Sequence, residues 1–335
     1  MNGASAAGGE APPPERSALP TDEWVESVRL GLLRWFRDNA RELPWRRTRD
    51  PYRVLVSEVM LQQTQVDRVI PYYEAFLAPF PTVESLAAGP TSDVIRLWAG
   101  LGYNRRAVNL QRTAQAVIER GGWPSDPDGL RNLPGIGPYT AGAVACFAFE
   151  QDVAFVDTNM RRVVHRLWFG PDLPEPIASE RSVLDLAGRL VPPGNGWQWN
   201  QALIEFGALH CTARKPACVV CPLQRSCRAF PTIQAIVASL PRGVRKKNEG
   251  AFQGSNRYYR GQVLKALRSV PSQEGTGIEL RRLGPQVREG FSDADVPWLK
   301  SVVDGLARDG LALVAEEPAS YDAGDPGSAR VSLPE

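Results

Sequence analysis

The sequence predicts an all-α body made of many short helices, followed by a smaller C-terminal unit. Amphipathic segments with apolar residues at helical spacing succeed one another from residue 21 to about residue 209. Proline and glycine stand at most of the joints between these segments, and no alternating strand pattern persists for long. The 335 residues are enough for one large hydrophobic core or two modest ones.

The helical pattern begins at Thr21, whose hydroxyl can cap a helix that carries Asp22 and Glu23 in its first turn. Apolar residues then recur at helical spacing through Phe36. Further helices are predicted over residues 54–65, 68–77, 91–99, 106–119, 141–149, 159–169, 180–190 and 199–209.

Charge and composition limit the partners that the chain can have. The formal net charge is only +2, so affinity for nucleic acid would have to come from local basic patches. No apolar run approaches the length of a membrane span, and we expect no membrane contact. Residues 1–20 are rich in Gly, Ala, Pro and Ser and lack the apolar stretch of a signal peptide, which predicts a disordered tail and a cytoplasmic protein.

The character of the chain changes after residue 230. Residues 231–255 carry Arg242, Arg245, Lys246 and Lys247 and are interpreted as a basic linker. Residues 256–316 offer a helix over 262–268, a short middle segment, a helix over 296–308 and an apolar strand over 311–314. This order predicts a small winged-helix-like module, and residues 317–335 are expected to be a disordered tail.

Four of the five cysteines lie within seventeen residues: Cys211, Cys218, Cys221 and Cys227, spaced C-x6-C-x2-C-x5-C. Four thiolates on a short irregular loop are a natural ligand set for an iron–sulfur cluster or for tetrahedral zinc. The six-residue first gap is long for a zinc ribbon, which favours the cluster. Disulfides are disfavoured because nothing else in the chain is typical of a secreted protein.

The segment LPGIGPYT, residues 133–140, opens an apolar helix. Gly135 and Gly137 permit a tight turn whose amides, with the dipole of the following helix, can hold one DNA phosphate. An ordinary joint between two helices is the alternative, but Pro134 and the small residues that follow match a helix-hairpin-helix turn, which binds phosphate without reading sequence.

Two carboxyl groups are placed for acid chemistry. Glu58 lies in an otherwise uncharged segment, and Asp157 follows an apolar run and precedes a basic helix. Hydrolysis of a glycosidic bond needs one group that protonates the leaving base and one that stabilises the cationic sugar. An apolar setting raises the pKa of a carboxyl, which suits Glu58 to the first role. Asp157 is equally well explained as a helix N-cap.

Six motifs connect these pieces: LPWR (43–46), SEVMLQQT (57–64), GLGY (100–103), LPGIGPYT (133–140), VDTN (156–159) and ALIEFGALHC (202–211). In this order they resemble the A/G-specific adenine DNA glycosylases of the MutY type, members of the helix-hairpin-helix DNA glycosylase superfamily. The resemblance covers about residues 22–230. It implies a helical barrel module and a module that holds a [4Fe–4S] cluster, with the DNA cleft between them.

The resemblance also implies roles for individual residues. Glu58 would protonate N7 of a flipped adenine and later help to activate water, while Asp157 would stabilise or trap the oxocarbenium sugar. Tyr139 occupies the position that is lysine in related lyases, so no Schiff base with the sugar can form and the enzyme should remove the base and stop. Tyr139 and Asn159 would position Asp157 and the substrate backbone.

Recognition of the flipped adenine would fall to Trp45, Arg46, Gln63 and Glu205, with an aromatic wall and a few polar contacts to the base. Gln62, Gln63 and Thr64 would enter the DNA helix, and Tyr103 would wedge beside the opposite base. Arg161 and Arg162 would meet phosphates, or would form a solvated basic face. The cluster loop carries basic residues that would add salt-dependent affinity: Arg214, Lys215, Arg225 and Arg228.

The chain departs from the family pattern in three places. Thr158 stands where the family usually has glycine, which we expect to alter the turn after Asp157 slightly. Asn104 follows GLGY where a second tyrosine is common. Family members that read 8-oxoguanine carry a β-rich C-terminal domain, and residues 258–314 are too short and too helical for it.

The resemblance implies duplex DNA containing an A:8-oxoguanine or A:G mispair as the partner of a monomeric enzyme at the nucleoid. The first alternative is a thymine or uracil mismatch glycosylase of the same superfamily, against which Glu58, LPWR and Glu205 argue. A lyase of the endonuclease III type is disfavoured by Tyr139. A non-catalytic iron–sulfur DNA-binding protein would require Glu58 and Asp157 to be structural.

Overall fold

A computed structural model describes residues 19–240, 252–270, 277–315 and 327–335. Within these ranges the chain forms fifteen α-helices and three short strands. The helices are α1 (Asp22–Asn39), α2 (Pro51–Leu61), α3 (Val66–Leu77), α4 (Val83–Ala88), α5 (Thr91–Leu97), α6 (Arg105–Glu119), α7 (Pro127–Arg131), α8 (Pro138–Phe149), α9 (Thr158–Trp168), α10 (Glu180–Leu190), α11 (Gly196–Leu209), α12 (Thr232–Ser239), α13 (Asn256–Arg268), α14 (Leu280–Val287) and α15 (Val296–Arg308). The strands are β1 (Ile278–Glu279), β2 (Leu313–Ala315) and β3 (Arg330–Ser332).

Helices α1–α11 pack around one hydrophobic core, as the all-α prediction required. Helix α1 lies against α11, α2 against α8, α4 against α6, and α9 against α10 and α11. Helix α8 runs through the middle and is apolar on every side, so its whole length from Thr140 to Ala148 is buried. Its Gly142 lies so close to Phe155 that an added Cβ would meet that side chain at 2.7 Å. The central helix therefore fixes the segment that leads to Asp157.

Most of the predicted helices are present, with ends set by local chemistry. Helix α2 begins earlier than predicted because Asp50 caps it and Pro51 occupies its first turn. It ends at Leu61, not at residue 65, because Gln63 adopts a left-handed conformation with φ of 54°. The short helices α4, α7 and α12 were not predicted, since five to eight residues give too few helical repeats to recognise.

The C-terminal unit is a winged-helix-like module. Its order is α13, β1, α14, α15, β2, β3, and the strands form an antiparallel sheet in the order β1-β3-β2. Val331 in the middle strand pairs with Ile278 on one side and with Val314 on the other.

Two details of the C-terminal prediction were wrong, although the predicted start of the module at residue 256 agrees with the structure. Helix α13 begins at Asn256, capped by Ser255, and not at residue 262. Residues 330–332, expected in a disordered tail, form the central strand, which pairs with β1 on one side and with β2 on the other. The predicted basic linker contains α12 at its start, and its four basic residues lie outside the described ranges, as does most of the predicted N-terminal tail.

No helix in the described part of the chain combines the length and apolar character needed to cross a membrane.

Candidate active site and cysteine loop

A cleft of about 1060 Å³ opens between α2, α8, α9 and α11. Most of the residues singled out from the sequence line it together: Trp45, Arg46, Glu58, Gln62, Gln63, Thr64, Tyr139, Asp157, Asn159 and Glu205. The cleft is large enough for a flipped nucleotide. Tyr103, Gly135 and Gly137 do not line the cleft and belong to neighbouring surfaces.

Glu58 lies in the last half of α2 and is only 6% exposed. Burial raises the pKa of its carboxyl to about 7, and the negative charge of Asp157 adds to the shift, while a hydrogen bond from Tyr139 opposes it. The group therefore holds its proton below neutral pH and is about half protonated near pH 7. A buried carboxyl that holds a proton near neutrality is suited to general-acid work.

Tyr139 connects the helix-hairpin-helix turn to this carboxyl. It is the second residue of α8, and its ring packs edge-on against Phe155 with 5.4 Å between centroids. Its hydroxyl donates a hydrogen bond to Glu58. Burial, together with the nearby carboxylates of Glu58 and Asp157, holds the pKa of the Tyr139 hydroxyl well above its usual value, so it stays a donor.

Asp157 is the N-cap of α9 and also faces the cleft. One carboxylate oxygen, Oδ1, accepts from the Met160 amide at 2.7 Å, and the other, Oδ2, accepts from the Asn159 side chain at 3.1 Å. The two interpretations of Asp157 are thus compatible: the cap fixes the side chain with one oxygen held by the helix. Thr158 begins α9 directly and is not among the residues with positive φ, so its replacement of glycine requires no left-handed backbone.

Glu205 lines the cleft from α11 and is completely buried. Burial opposes its ionisation, but hydrogen bonds from Arg41 and Arg46 outweigh that effect and lower its pKa to about 2. Arg41 donates to both carboxylate oxygens at 2.8 Å, and Arg46 donates to Oε2 at 3.0 Å. Sequence reasoning missed Arg41. The apolar neighbours of Glu205 indicate that a cation must neutralise it, but nothing in the sequence identifies Arg41 as that cation.

Trp45 and Arg46 come from a 3-10 turn over Pro44–Arg47. Trp45 is buried and packs edge-on against Tyr73 with 5.5 Å between ring centroids, so it forms part of the wall and not a free stacking platform. Arg46 is held by Glu205, by Gln201 at 2.8 Å and by the Arg41 carbonyl at 2.9 Å. These bonds fix the guanidinium at the edge of the cleft.

Two loops with left-handed backbone lie beside the cleft. One carries Gln63 at φ 54°, and the other carries Tyr103 at φ 47°, with 47% of the Tyr103 side chain exposed. Arg106 ties them together, because its guanidinium donates to the Val59 carbonyl at 2.6 Å, to the Gln62 carbonyl at 2.7 Å and to the Gly102 carbonyl at 3.1 Å. This arginine was not recognised in the sequence, where nothing distinguishes it from a surface residue.

The helix-hairpin-helix turn has the expected geometry. Gly135 has φ of 74°, and a Cβ there would meet Asn109 at 2.7 Å, so glycine is required. Gly137 precedes α8 and is exposed, and it offers no side-chain cap to the helix. The amides of the first turn of α8 therefore lack a side-chain partner and can receive a phosphate.

The prediction that Arg162 meets DNA phosphates was wrong. Its guanidinium turns inward and donates to the Asn159 side chain at 2.8 Å, to the Gly207 carbonyl at 2.6 Å and to the Cys211 carbonyl at 2.7 Å. Arg161 instead pairs with the exposed Glu180 at 2.9 Å. Arg162 therefore joins the Asp157 end of α9 to the first cysteine of the loop.

All four cysteines of the loop are free thiols and line one small cavity of about 30 Å³, together with apolar residues such as Val163, Phe206 and Leu223. In the described ranges no three His, Cys, Asp or Glu side chains converge closely enough to hold a single metal ion. Four thiols around one cavity with apolar walls fit an iron–sulfur cluster held by four thiolates.

The surroundings of the thiols also fit an iron–sulfur group. Arg166 is buried and donates to Cys211 Sγ at 3.6 Å. Burial raises the pKa of the Cys221 thiol to about 12, so its thiolate form needs the positive charge of bound iron. Arg214, Lys215, Arg225 and Arg228 are exposed on the same loop, and Arg228 stacks on Trp168 at 3.5 Å.

The chain is similar to known DNA repair proteins over these regions. Residues 56–188 match the family described as the HhH-GPD superfamily of base excision DNA repair proteins. Residues 211–227, from the first cysteine of the loop to the last, match the iron–sulfur binding domain of endonuclease III. The cofactor predicted from the cysteine spacing is thereby confirmed, and the protein binds a [4Fe–4S] cluster.

The chain is also similar to curated adenine DNA glycosylases. The adenine DNA glycosylase of Mycolicibacterium smegmatis is 43% identical over 291 residues, covering 84% of this chain and 90% of the relative. The adenine DNA glycosylase of Homo sapiens is 42% identical over 222 residues, covering 63% of this chain but only 40% of its own length.

Solved structures give the same fold. A thermostable thymine-DNA glycosylase is 31% identical, with a TM-score of 0.58 over 63% of this chain and 98% of its own. An endonuclease III trapped on DNA is 28% identical, with a TM-score of 0.53 over the same share of this chain and 97% of its own.

Proposed function

The chain belongs to the adenine DNA glycosylases of the helix-hairpin-helix superfamily, and on this basis we propose that it removes adenine mispaired with 8-oxoguanine or guanine from duplex DNA without cutting the strand. The observation that carries the proposal is the protonated Glu58 beside Tyr139, in the same cleft as the capped carboxylate of Asp157.

The residues divide the reaction between them. The adenine rotates out of the stack into the cleft, and Glu58 gives its proton to N7, so the base leaves as a neutral group when the C1′–N9 bond breaks. Asp157 holds its negative charge beside the oxocarbenium sugar. The Glu58 carboxylate then takes a proton from water, whose oxygen bonds to C1′. Asn159 positions Asp157 through the 3.1 Å hydrogen bond between their side chains.

Tyr139 explains why the reaction should stop at the abasic site. A lyase needs an amine that forms a Schiff base with the sugar, and a phenol cannot supply one. The Tyr139 hydroxyl is already committed to Glu58 and has a pKa well above its usual value. Trp45, Arg46, Gln63 and Glu205 would shape the adenine pocket, with Glu205 acting through Arg41 and Arg46 instead of touching the base directly.

The cysteine loop supports DNA binding in this proposal. Cys211, Cys218, Cys221 and Cys227 are the ligands, and the bound cluster supplies a rigid anchor for the loop. The chain itself contributes the exposed Arg214, Lys215 and Arg225 and the stacked Arg228. These charges, with the amides of the α8 turn, would hold phosphates on either side of the cleft.

One chain supplies Glu58, Asp157, the loops that carry Gln63 and Tyr103, and the cysteine loop. We therefore propose that the protein acts as a monomer, and that it acts on DNA at the nucleoid. Residues 21–230 would form the catalytic unit and residues 256–335 the C-terminal module. Sedimentation with and without duplex should give a 1:1 complex.

The test is single-turnover release of base from four duplexes: A opposite 8-oxoguanine, A opposite G, T opposite G, and U opposite G, with and without alkali. Adenine release that gives strand breaks only after alkali supports the substrate and the monofunctional chemistry together. Release of T or U in place of adenine would transfer the assignment to a mismatch glycosylase like the thymine-DNA glycosylase that shares this fold.

A further inference from the structure

The C-terminal module is docked onto the glycosylase body. Ile95 of α5 and Val108 of α6 belong to the same hydrophobic cluster as the core of the module. Arg96 donates to the Val270 carbonyl at 2.6 Å, and Arg268 donates to the Asn104 side chain at 2.9 Å. Asn104, which replaces an expected aromatic residue, is thus a docking residue for the module.

This docking brings the start of α13 against the GLGY loop. The guanidinium of Arg257 lies 4.8 Å from the centre of the Tyr103 ring and 5.7 Å from that of Phe252. Tyr258 packs edge-on against Phe252 with 5.8 Å between centroids. Arg257 is exposed, and Phe252 is 60% exposed, so a cationic and aromatic surface lies open to solvent around Tyr103.

The surface is continuous with the cleft. Arg106 holds the Gln62 loop, which borders the cleft, against the Gly102 carbonyl, which precedes Tyr103. Arg106 also approaches the Tyr103 ring at 5.6 Å. The path from the cleft to the module therefore runs through Gln62, Arg106 and Tyr103 to Arg257, with every step a direct contact.

The position of Arg257 defines the strand it can reach. Gln62 lines the cleft and Tyr103 does not, so if the adenine leaves the stack beside Gln62 to enter the cleft, Tyr103 would face the complementary strand. An exposed guanidinium held over a ring keeps its planar donor edge free and loses little freedom on binding. Phosphate oxygens accept two parallel N–H bonds from such an edge.

We propose that Arg257, supported by Tyr103, Phe252 and Tyr258, binds a backbone phosphate of the strand that pairs with the adenine-bearing strand. The C-terminal module thereby extends the DNA-binding surface across the duplex. This proposal rests on the proposed function for the identity of the two strands.

The experiment measures binding of the full-length protein, with its cluster, to a duplex that carries a tetrahydrofuran abasic analogue opposite G, by fluorescence anisotropy between 50 and 200 mM salt. Arg257→Ala should weaken binding about fivefold to tenfold at 100 mM salt and reduce the slope of log affinity against log salt by about 0.9. Arg257→Lys should lie between the two proteins, because it keeps the charge and loses the stacked plane.

Lys265→Ala is the matched control, since Lys265 is an exposed cation on the same helix, two turns further along. It should bind like the parent. Equal losses in Lys265→Ala and Arg257→Ala would overturn the proposal, as would an Arg257→Ala protein that binds like the parent with an unchanged circular dichroism spectrum.

Methylphosphonates in the DNA locate the contact. At one position next to the nucleotide opposite the abasic analogue, neutralising the phosphate should weaken the parent fivefold or more and leave Arg257→Ala unaffected. If Arg257→Ala is as sensitive as the parent at every position of that strand, the contact does not exist. A loss in Arg257→Ala that differs more than threefold among G, 8-oxoguanine and C opposite the analogue would mean base reading and would also overturn it.

These binding measurements do not depend on base release. Failure of the proposed function would be seen as absence of adenine release by the unaltered protein, which is a separate result.

Discussion

Glu58 in α2 and Glu205 in α11 line different parts of the same cleft, and both are nearly or completely removed from water, with exposures of 6% and 0%. Their pKa values nevertheless move in opposite directions, to about 7 for Glu58 and to about 2 for Glu205. Burial raises the pKa of both. The difference is the set of neighbours: Glu205 has two arginines, whereas Glu58 has a tyrosine hydroxyl and the negative charge of Asp157.

The comparison shows that burial alone does not decide the protonation of a carboxyl group. One part of the cleft keeps a proton available for the base, and another keeps a fixed ion pair that holds Arg41 and Arg46 in place. The same residue type can therefore be an acid in one part of the cleft and a structural anion in another.

The largest effect is expected from Glu58→Gln. Loss of the proton donor should slow adenine release about 10³- to 10⁴-fold in single-turnover assays, with duplex binding retained. Near-normal release would remove Glu58 from the mechanism.

The same variant reports on the raised pKa. The stabilising contribution of Glu58 is complete below about pH 4.5 and is lost as the pH rises through about 7. The glutamine side chain of the variant stays neutral at every pH, so at pH 8 the variant should be more stable than the parent by up to about 3 kcal/mol in urea titrations. Equal stability at pH 4 and a gain at pH 8 is the expected pattern; a variant that is less stable at pH 8 would contradict the raised pKa.

Asp157→Asn tests the carboxylate that faces Glu58. Asparagine caps helices as well as aspartate does, so the free energy of unfolding should change by less than about 0.5 kcal/mol. Removal of the negative charge beside the sugar should slow adenine release about 10²- to 10³-fold. A variant that loses stability in proportion to its activity would show that Asp157 is only a cap.

Glu205→Gln tests the second carboxyl group of the comparison, the one that pairs with Arg41 and Arg46. It leaves Arg41 and Arg46 without their buried counter-charge and should lower the free energy of unfolding by about 3 kcal/mol at neutral pH. Excision should fall about tenfold or more as Arg46 moves. Glu42→Gln is the control, because Glu42 pairs with Arg47 at the surface with its side chain 85% exposed, and it should cost less than about 0.5 kcal/mol. Similar costs for the two variants would show that the Glu205 pair is not held out of water.

Tyr139→Phe should have the smallest effect on the excision rate. It tests how much the Tyr139 hydroxyl contributes to the pKa of Glu58. The Tyr139 hydrogen bond lowers that pKa, so its removal should shift the alkaline fall in excision rate upward by about half to one pH unit from pH 7. Tyr259→Phe, in the C-terminal module, should leave the pH profile unchanged. A shift toward lower pH in Tyr139→Phe would mean that the hydroxyl does not donate to Glu58.

The contacts of three buried or half-buried arginines could not be predicted from the sequence. Arg41 holds a glutamate 164 residues away, Arg106 spans two loops, and Arg162 connects α9 to the cysteine loop. In the sequence each is indistinguishable from a solvated basic residue, because neighbouring letters do not report a contact made through space. Glu58 and the four cysteines were recognisable because their chemistry depends on local setting and spacing.

The C-terminal module shows the same limit for secondary structure. The pattern of α15 predicted its bounds, Val296–Arg308, because an amphipathic helix repeats within itself. Strands β1 and β3 have only two and three residues and depend on pairing with strands elsewhere in the chain, so no local period revealed them.

By itself, the sequence determined the helical body, the helix-hairpin-helix turn, the iron–sulfur loop and the catalytic candidates, because periodicity, turn chemistry and ligand spacing are local properties. The tertiary structure alone decided that Arg41 and Arg46 keep Glu205 ionised, that Arg162 faces inward, and that Arg257 reaches Tyr103. Protonation and side-chain direction depend on which groups are brought within a few ångströms, and that is set by packing between segments far apart in the chain.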